Sequence, residues 1–286
     1  MSALTVAYLA VALSIALHVG WNLMARHARR ECDPLWWALA GHTALLGPWA
    51  LHGLATQATW SMELAAMLAI SSSANMVYFI ALRAAYQYAS VALVYPVARS
   101  SPLLVALWAW LLFGVETGPI AWVGLVIGSA GLLWLAWSGR AGDTRHALPW
   151  AGLAALMTSI YSISDKTAVS ALPTFASVMG FMSVGYLSAL AALSIMRRRS
   201  EGRWTPPCTP RPFILLGGSL AIGSAYALVI GAMRELPAAH VVALANLGIV
   251  IASLLSIFAF GERAAWRTRL VAAIVVTVGI IMVQWG

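Results

Sequence analysis

YFIALRAAYQYASVALVYPVARSSPLLVALWAWLLFGVE, residues 78–116, has a counterpart in YALVIGAMRELPAAHVVALANLGIVIASLLSIFAFGE, residues 226–262. Each copy runs from a tyrosine through an apolar segment, a basic break and a long apolar segment to Phe-Gly before a glutamate. The segments that follow also end alike, in GLLWLAW from Gly131 and GIIMVQW from Gly279, so the offset holds at 146–148 residues. The chain is therefore read as a duplication: a first repeat over 1–138, a loop over 139–147 and a second repeat over 148–286.

Around these two stretches the chain is almost continuously apolar. Of its 286 residues 62% are hydrophobic and 9% are charged, against roughly 25% charged in a soluble domain. A surface so poor in charge must meet lipid. A membrane helix needs about 20 apolar residues, and such runs fall at 3–25, 35–53, 63–83, 89–113, 118–138, 148–171, 174–196, 213–233, 237–260 and 268–285. Only GRAGDTRHA (139–147) and RRRSEGRWTPPCTPRP (197–212) read as clear solvent loops. The first run has no basic stretch before it and is long enough to span, so it reads as a helix rather than a cleaved leader. The expected fold is an all-α membrane protein of ten transmembrane helices. With five segments per copy, the second copy enters the membrane in the opposite sense, giving two inverted five-helix repeats around a central cavity, the arrangement of secondary transporters with a midplane site.

The formal charge of +8 is a topology signal rather than a nucleic-acid one. Arg26, Arg29, Arg30, Arg83, Arg140, Arg145, Arg197, Arg198, Arg199, Arg203, Arg211, Arg263, Arg267 and Arg269 follow odd-numbered segments, and only Arg234 follows an even one. The positive-inside rule places the odd loops in the cytoplasm and both termini outside an inner (cell) membrane. Cys32 and Cys208, on those odd loops, are then expected to be reduced. Fourteen tryptophans, several near segment ends, suit interfacial belts.

Charges within the apolar runs mark the candidate site, since a central Arg, Lys or Asp costs about 2.5–3.5 kcal/mol on insertion scales. Arg99 lies near the middle of segment 4, and Asp165 and Lys166 lie in the second half of segment 6. Arginine's planar fork suits a carboxylate or phosphonate. Lys166 would assist, while Asp165 would bind an amine or take a coupling proton, a role open to His18 as well. The alternative is an Arg99–Asp165 structural pair with Lys166 snorkelling to the interface. Pro96 and Pro102 flank Arg99 and should bend its helix. Helical spacing gathers His18, Trp21 and Asn22 on one face of segment 1, Ser71, Asn75 and Tyr78 on segment 3, and Thr158, Tyr161, Ser162 and Asp165 on segment 6. Tyr95 joins Arg99 on segment 4; Ser219 and Tyr226 mark segment 8 and Asn246 segment 9. The cavity is expected among segments 1, 3, 4, 6, 8 and 9. Single polar residues of this kind also serve as interhelical hydrogen bonds. His240 and the Gly124/Gly128 pair read as structural and packing features, and Glu116 and Glu262 as helix ends.

His18-Val-Gly-Trp21-Asn22, Tyr95-Pro-Val-Ala-Arg99, Tyr161-Ser-Ile-Ser-Asp165 and the closing Phe-Gly-Glu262 resemble the drug/metabolite transporter superfamily, specifically its EamA-type ten-helix members. The resemblance covers essentially the whole chain. It implies the same six cavity-lining segments and substrates ranging over amino acids, sugars, nucleotide derivatives and drugs. Many such relatives have cytoplasmic termini, unlike the arginine reading here. The first-helix glutamate of the four-helix exporters has no counterpart.

No hydrolase, zinc-protease, P-loop or C-x-x-C motif is present, so no enzyme, cofactor or metal role is expected. A small anionic or zwitterionic metabolite, amino-acid-like or phosphonate-like, is the expected substrate; a lipid translocase or scramblase for phospholipid headgroups is the alternative. The expected partners are that substrate and membrane lipids, with no nucleic acid. A fused repeat completes its own site, so a functional monomer suffices, and a homodimer is compatible.

Overall fold

The computed structural model describes residues 1–25, 32–139, 142–261 and 264–286. Arg26, Arg29, Arg30, Arg140, Glu262 and Arg263 lie outside them. The described residues form thirteen α-helices: α1 (Ala3–Ala25), α2 (Pro34–Leu45), α3 (Gly47–Gln57), α4 (Met62–Tyr88), α5 (Val91–Ala98), α6 (Pro102–Phe113), α7 (Pro119–Ser138), α8 (Thr144–Ala168), α9 (Phe175–Glu201), α10 (Pro212–Ala232), α11 (Ala238–Ala245), α12 (Leu247–Phe258) and α13 (Trp266–Trp285). A 3-10 turn covers Val169–Ala171.

Nine stretches among the described residues are long and apolar enough to cross a membrane. The remaining expected run, 35–53, is cut at Leu46 into α2 and α3, of 12 and 11 residues. The expected solvent loop at 139–147 is shorter than its composition suggested, because α8 already starts at Thr144. Arg83, placed in a loop by charge, lies inside α4, which runs on to Tyr88.

Three runs are interrupted, each for a local reason. The Gly47–Pro48 pair starts α3. Pro102 has no N–H for the Ala98 carbonyl four residues earlier, so α5 and α6 are separate helices around Arg99–Ser101. At Asn246 the ladder tightens instead, its N–H bonding Ala243 (3.1 Å), and α12 restarts with Ile249 N–H on the Asn246 carbonyl (2.9 Å). The last two breaks are the same place in the two repeats: Val91 to Ala238 and Arg99 to Asn246 are both offsets of 147 residues.

The described chain forms two compact units, each drawing on both repeats. The first contains Met1–Ile80 and Ser164–Glu235. There α10 packs on α1, α2 and α9, and α9 packs on α3. Trp21 lies so close to Gly218 that a Cβ there would stand 2.1 Å from the indole. At one end Asp33 caps α2 through the Trp36 N–H (3.2 Å) and binds the Arg197 guanidinium at 2.6 Å, which also reaches Glu201 at 2.6 Å. Cys32 and Cys208 form a disulfide beside this cluster. The expectation of two reduced thiols is thereby corrected: the fold brings loops 176 residues apart to a Cα separation of 4.7 Å. The repeat counterparts of these two loops, at 57–59 and 171–174, are joined without a covalent link, through Thr59 N–H on the Ala171 carbonyl (2.9 Å) and the Thr174 hydroxyl on Gln57.

The second unit contains Ala81–Ile163 and Leu236–Gly286. Its spine is α7 against α13, where a Cβ on Gly124 would meet the Gly279 carbonyl at 2.7 Å. The packing role expected for Gly124 and Gly128 is observed. Leu132, Leu135, Ile249, Val250, Ala273 and Val276 fill the core beside this seam. Outward residues such as Leu133, Trp134, Ile274 and Val278 remain exposed, as lipid-facing residues should.

Candidate functional site

In the first unit the chemistry gathers on Asp165, which is 1% exposed near the C-terminal end of α8. Ser71 of α4 donates its hydroxyl to Oδ1 and Tyr226 of α10 donates to Oδ2, both at 2.5 Å. Two hydroxyl donors on opposite oxygens satisfy a carboxylate without a neighbouring cation; if the acid is protonated, one hydroxyl turns to accept. Asn75, one turn from Ser71, is buried with its side chain 3.1 Å from where a Cβ on Gly185 would stand. Tyr78, buried on the same helix, packs edge-on to Phe79 at 5.1 Å.

His18 lies 147 residues before Asp165, so the two proton-coupling candidates occupy equivalent places in the repeats. His18 and Asn22 are half-buried on α1, while Trp21 is committed to Gly218. Lys166 follows Asp165 but turns elsewhere, donating Nζ to the Met233 carbonyl at the end of α10. That bond caps a helix C-terminus, where a cation is favourable.

The second unit holds Arg99, Tyr95, Asn246 and Tyr161. Arg99 is 9% exposed at the end of α5, its guanidinium 5.6 Å from the Tyr95 ring centre. The Asn246 amide donates to the Arg99 carbonyl at 3.0 Å, so the two repeat-equivalent breaks are bonded to each other. This orientation fixes Asn246 Oδ1 away from that carbonyl. Oδ1 and the Ser129 hydroxyl are buried without a hydrogen-bond partner among the described residues. Both residues line a cavity of about 10 Å³, with Pro102, Gly128 and Gly279 around it, room for about one water. Tyr161 is buried on α8, where Ser159 accepts from Trp108 Nε1 at 3.0 Å.

Two participants escaped the sequence reading, while Ser71, placed on the polar face of its helix, was given no partner there. Ser129 sits inside the glycine-rich packing face of α7. His42, fully buried on α2, bonds Ser183 of α9 at 2.9 Å and packs edge-on to Tyr186 at 5.4 Å. A lone histidine in an apolar run carries no periodic signal. Among the described residues no group of three His, Cys, Asp or Glu could hold a metal ion.

The chain matches the EamA-like transporter family over residues 5–137 and again over 146–285. A solved structure titled "Crystal structure of protein" is similar over 99% of this chain and 99% of its own, at 18% identity and a TM-score of 0.70. At that identity the likeness speaks for the fold. Comparison with curated proteins gives no match.

Proposed function

The chain belongs to the EamA-like transporter family, and from that premise we propose that it carries a small anionic or zwitterionic metabolite by alternating access. Amino acids and organophosphonates have the right chemistry. The observation that carries this reading is Arg99: a guanidinium in a membrane segment, at a helix break whose freed backbone is tied to the matching break at Asn246. Interrupted helices are where secondary transporters place binding sites, and the planar fork of an arginine there suits an anion with two oxygens to offer, a carboxylate or a phosphonate. Tyr95 steadies the guanidinium through its ring face. Asp165, held by two hydroxyls, supplies a group that can take and release a proton. Lys166 acts as a structural cap in this reading, because its ammonium is engaged by a backbone carbonyl.

Sidedness follows the arginines, with the odd loops cytoplasmic. The Cys32–Cys208 bond is the observation against it, since disulfides persist in oxidising compartments. In intact cells treated with reductant, labelling of both cysteines by a membrane-impermeant maleimide from outside would reverse the assignment.

The decisive test is uptake into proteoliposomes with a panel of radiolabelled amino acids and phosphonates. Arg99→Ala should abolish transport of whichever anion responds, with the protein still folded, and Arg99→Lys should not restore it. Undiminished transport by Arg99→Ala sinks the site assignment. Movement of fluorescent phospholipid between leaflets, without transport of any soluble anion, would favour the lipid reading instead.

A further inference from the structure

We propose that the second unit binds one ordered water molecule between Asn246, at the α11–α12 break, and Ser129 of α7, and that this water is part of the joint at the break. Two independent observations meet at one place. Asn246 is 2% exposed, and its amide nitrogen is committed to the Arg99 carbonyl 3.0 Å away, which turns Oδ1 in another direction. Oδ1 and the Ser129 hydroxyl have no hydrogen-bond partner among the described residues, and both residues line the same cavity. Its volume, about 10 Å³, suits a single water.

Ser129 departs from the habit of hydroxyls inside helices. Thr277 on α13 donates back to the Ala273 carbonyl at 2.8 Å, and Ser138 at the end of α7 donates to the Leu135 carbonyl at 2.7 Å. Each thereby uses its only proton within its own helix. Ser129 makes no such bond among the described residues, so its proton is available to the cavity. A water there accepts from Ser129 and donates to Asn246 Oδ1. The wall also contains Gly124, Gly128 and Gly279, which present main chain rather than side chains, and a helical carbonyl keeps a second lone pair for the other hydrogen. A buried water takes about two to four such partners.

Other occupants answer these groups less well. None of the described lining residues is acidic, and hard cations take about six oxygen ligands or more. An apolar guest would leave both side-chain oxygens unpaired, which buried polar groups rarely are. Bulk water is kept out, since Leu125 on the wall is 2% exposed and Leu132 and Val283 are 1% exposed. The consequence is mechanical. Asn246 becomes a two-sided link, holding the Arg99 break through its nitrogen and α7 through its oxygen and the water. The seam of α7 and α13, which meet main chain to main chain at Gly124 and Gly279, is thereby fastened to the break.

The inference goes beyond the transport reading and is measured without a substrate. Pulsed X-ray footprinting of the full chain in lipid nanodiscs makes hydroxyl radicals from water where it lies, and mass spectrometry then locates the oxidised side chains. Leu125, Leu132 and Val283 are the reporters, because a sealed aliphatic side chain is oxidised only by a water beside it. The expected result is oxidation of these residues above the level at Leu39, which is 0% exposed and lies outside the cavity wall. Ser129→Val removes the donor and adds a methyl group to the cavity, so it should lose this oxidation while exposed Trp204 is oxidised as in wild type. Wild-type reporters no more oxidised than Leu39, or full oxidation kept in Ser129→Val, overturns the proposal. If that variant does not fold, the wild-type comparison with Leu39 still decides. Oxidation seen only in sodium-free buffer would assign the cavity to a cation and overturns the proposal too. Failure of Arg99→Ala to affect uptake would leave this result standing, so the two ideas fail separately.

Discussion

Removing the two hydroxyls that hold Asp165, by Ser71→Ala and Tyr226→Phe, measures what the buried carboxylate costs the fold. A hydrogen bond to a charged group contributes about 1.5–3 kcal/mol. Two such bonds, at 2.5 Å each, give roughly 3–6 kcal/mol for the double variant when the carboxylate is ionised. A neutral interhelical bond in a membrane protein averages about 0.6 kcal/mol, so the same variant should lose only about 1 kcal/mol when the acid is protonated. At about 2 °C per kcal/mol for a chain of this size, melting in nanodiscs should fall by roughly 6–12 °C at alkaline pH and by about 2 °C at acidic pH. A further Asp165→Asn change in that background should recover stability at alkaline pH, because it removes the charge left without donors. Equal losses at both pH values, or no recovery on adding Asp165→Asn, would refute the idea that these hydroxyls stabilise an ion.

Other consequences are open to simpler measurements. Gly279→Leu should lower the melting temperature sharply and Gly124→Ala more modestly, since a Cβ at Gly279 meets backbone at 2.4 Å and one at Gly124 meets backbone at 2.7 Å; overpacking of this kind costs about 1–3 kcal/mol. Gly223→Ala should destabilise wild type but cost much less beside His42→Ala, a coupling that a double-mutant cycle would read. Reducing the Cys32–Cys208 bond releases a closed segment of 176 residues, for which loop entropy gives an upper value of about 5 kcal/mol. Helices that stay inserted when the protein unfolds should reduce this well below that value in a melt with and without reductant. Asn246→Ala should lower transport along with Arg99→Ala, because it frees the Arg99 carbonyl; transport kept at wild-type level would separate the two breaks.

Most of the helix plan could be read from the residues because the bilayer imposes length and apolarity together, and the punctuation between runs is strong. What the apolar pattern hides is discontinuity within a run. The break at Arg99 was foreshadowed by Pro96 and Pro102, and Gly47–Pro48 carried an overlooked signal, but Asn246 breaks its helix with no proline beside it. Asp165, Tyr226 and Asn75 were found through charge and helical spacing. Their partners were harder to see, since a hydroxyl such as Ser71 gains meaning only when the helix facing it is known. His42 and the Cys32–Cys208 bond depend on contacts 141 and 176 residues apart in sequence, beyond the reach of local periodicity.

The bond from Asn246 to the carbonyl of Arg99 has an implication for how such a protein can change over generations. One ancestral position now exists twice, touching its own duplicate, with a cation in one copy and an amide in the other. The bond reaches the main chain of residue 99, which any side chain leaves in place, so the joint rests on the amide of one copy and makes no demand on the side chain of the other. Duplication thus allowed one copy to keep the joint while its twin took on a cation.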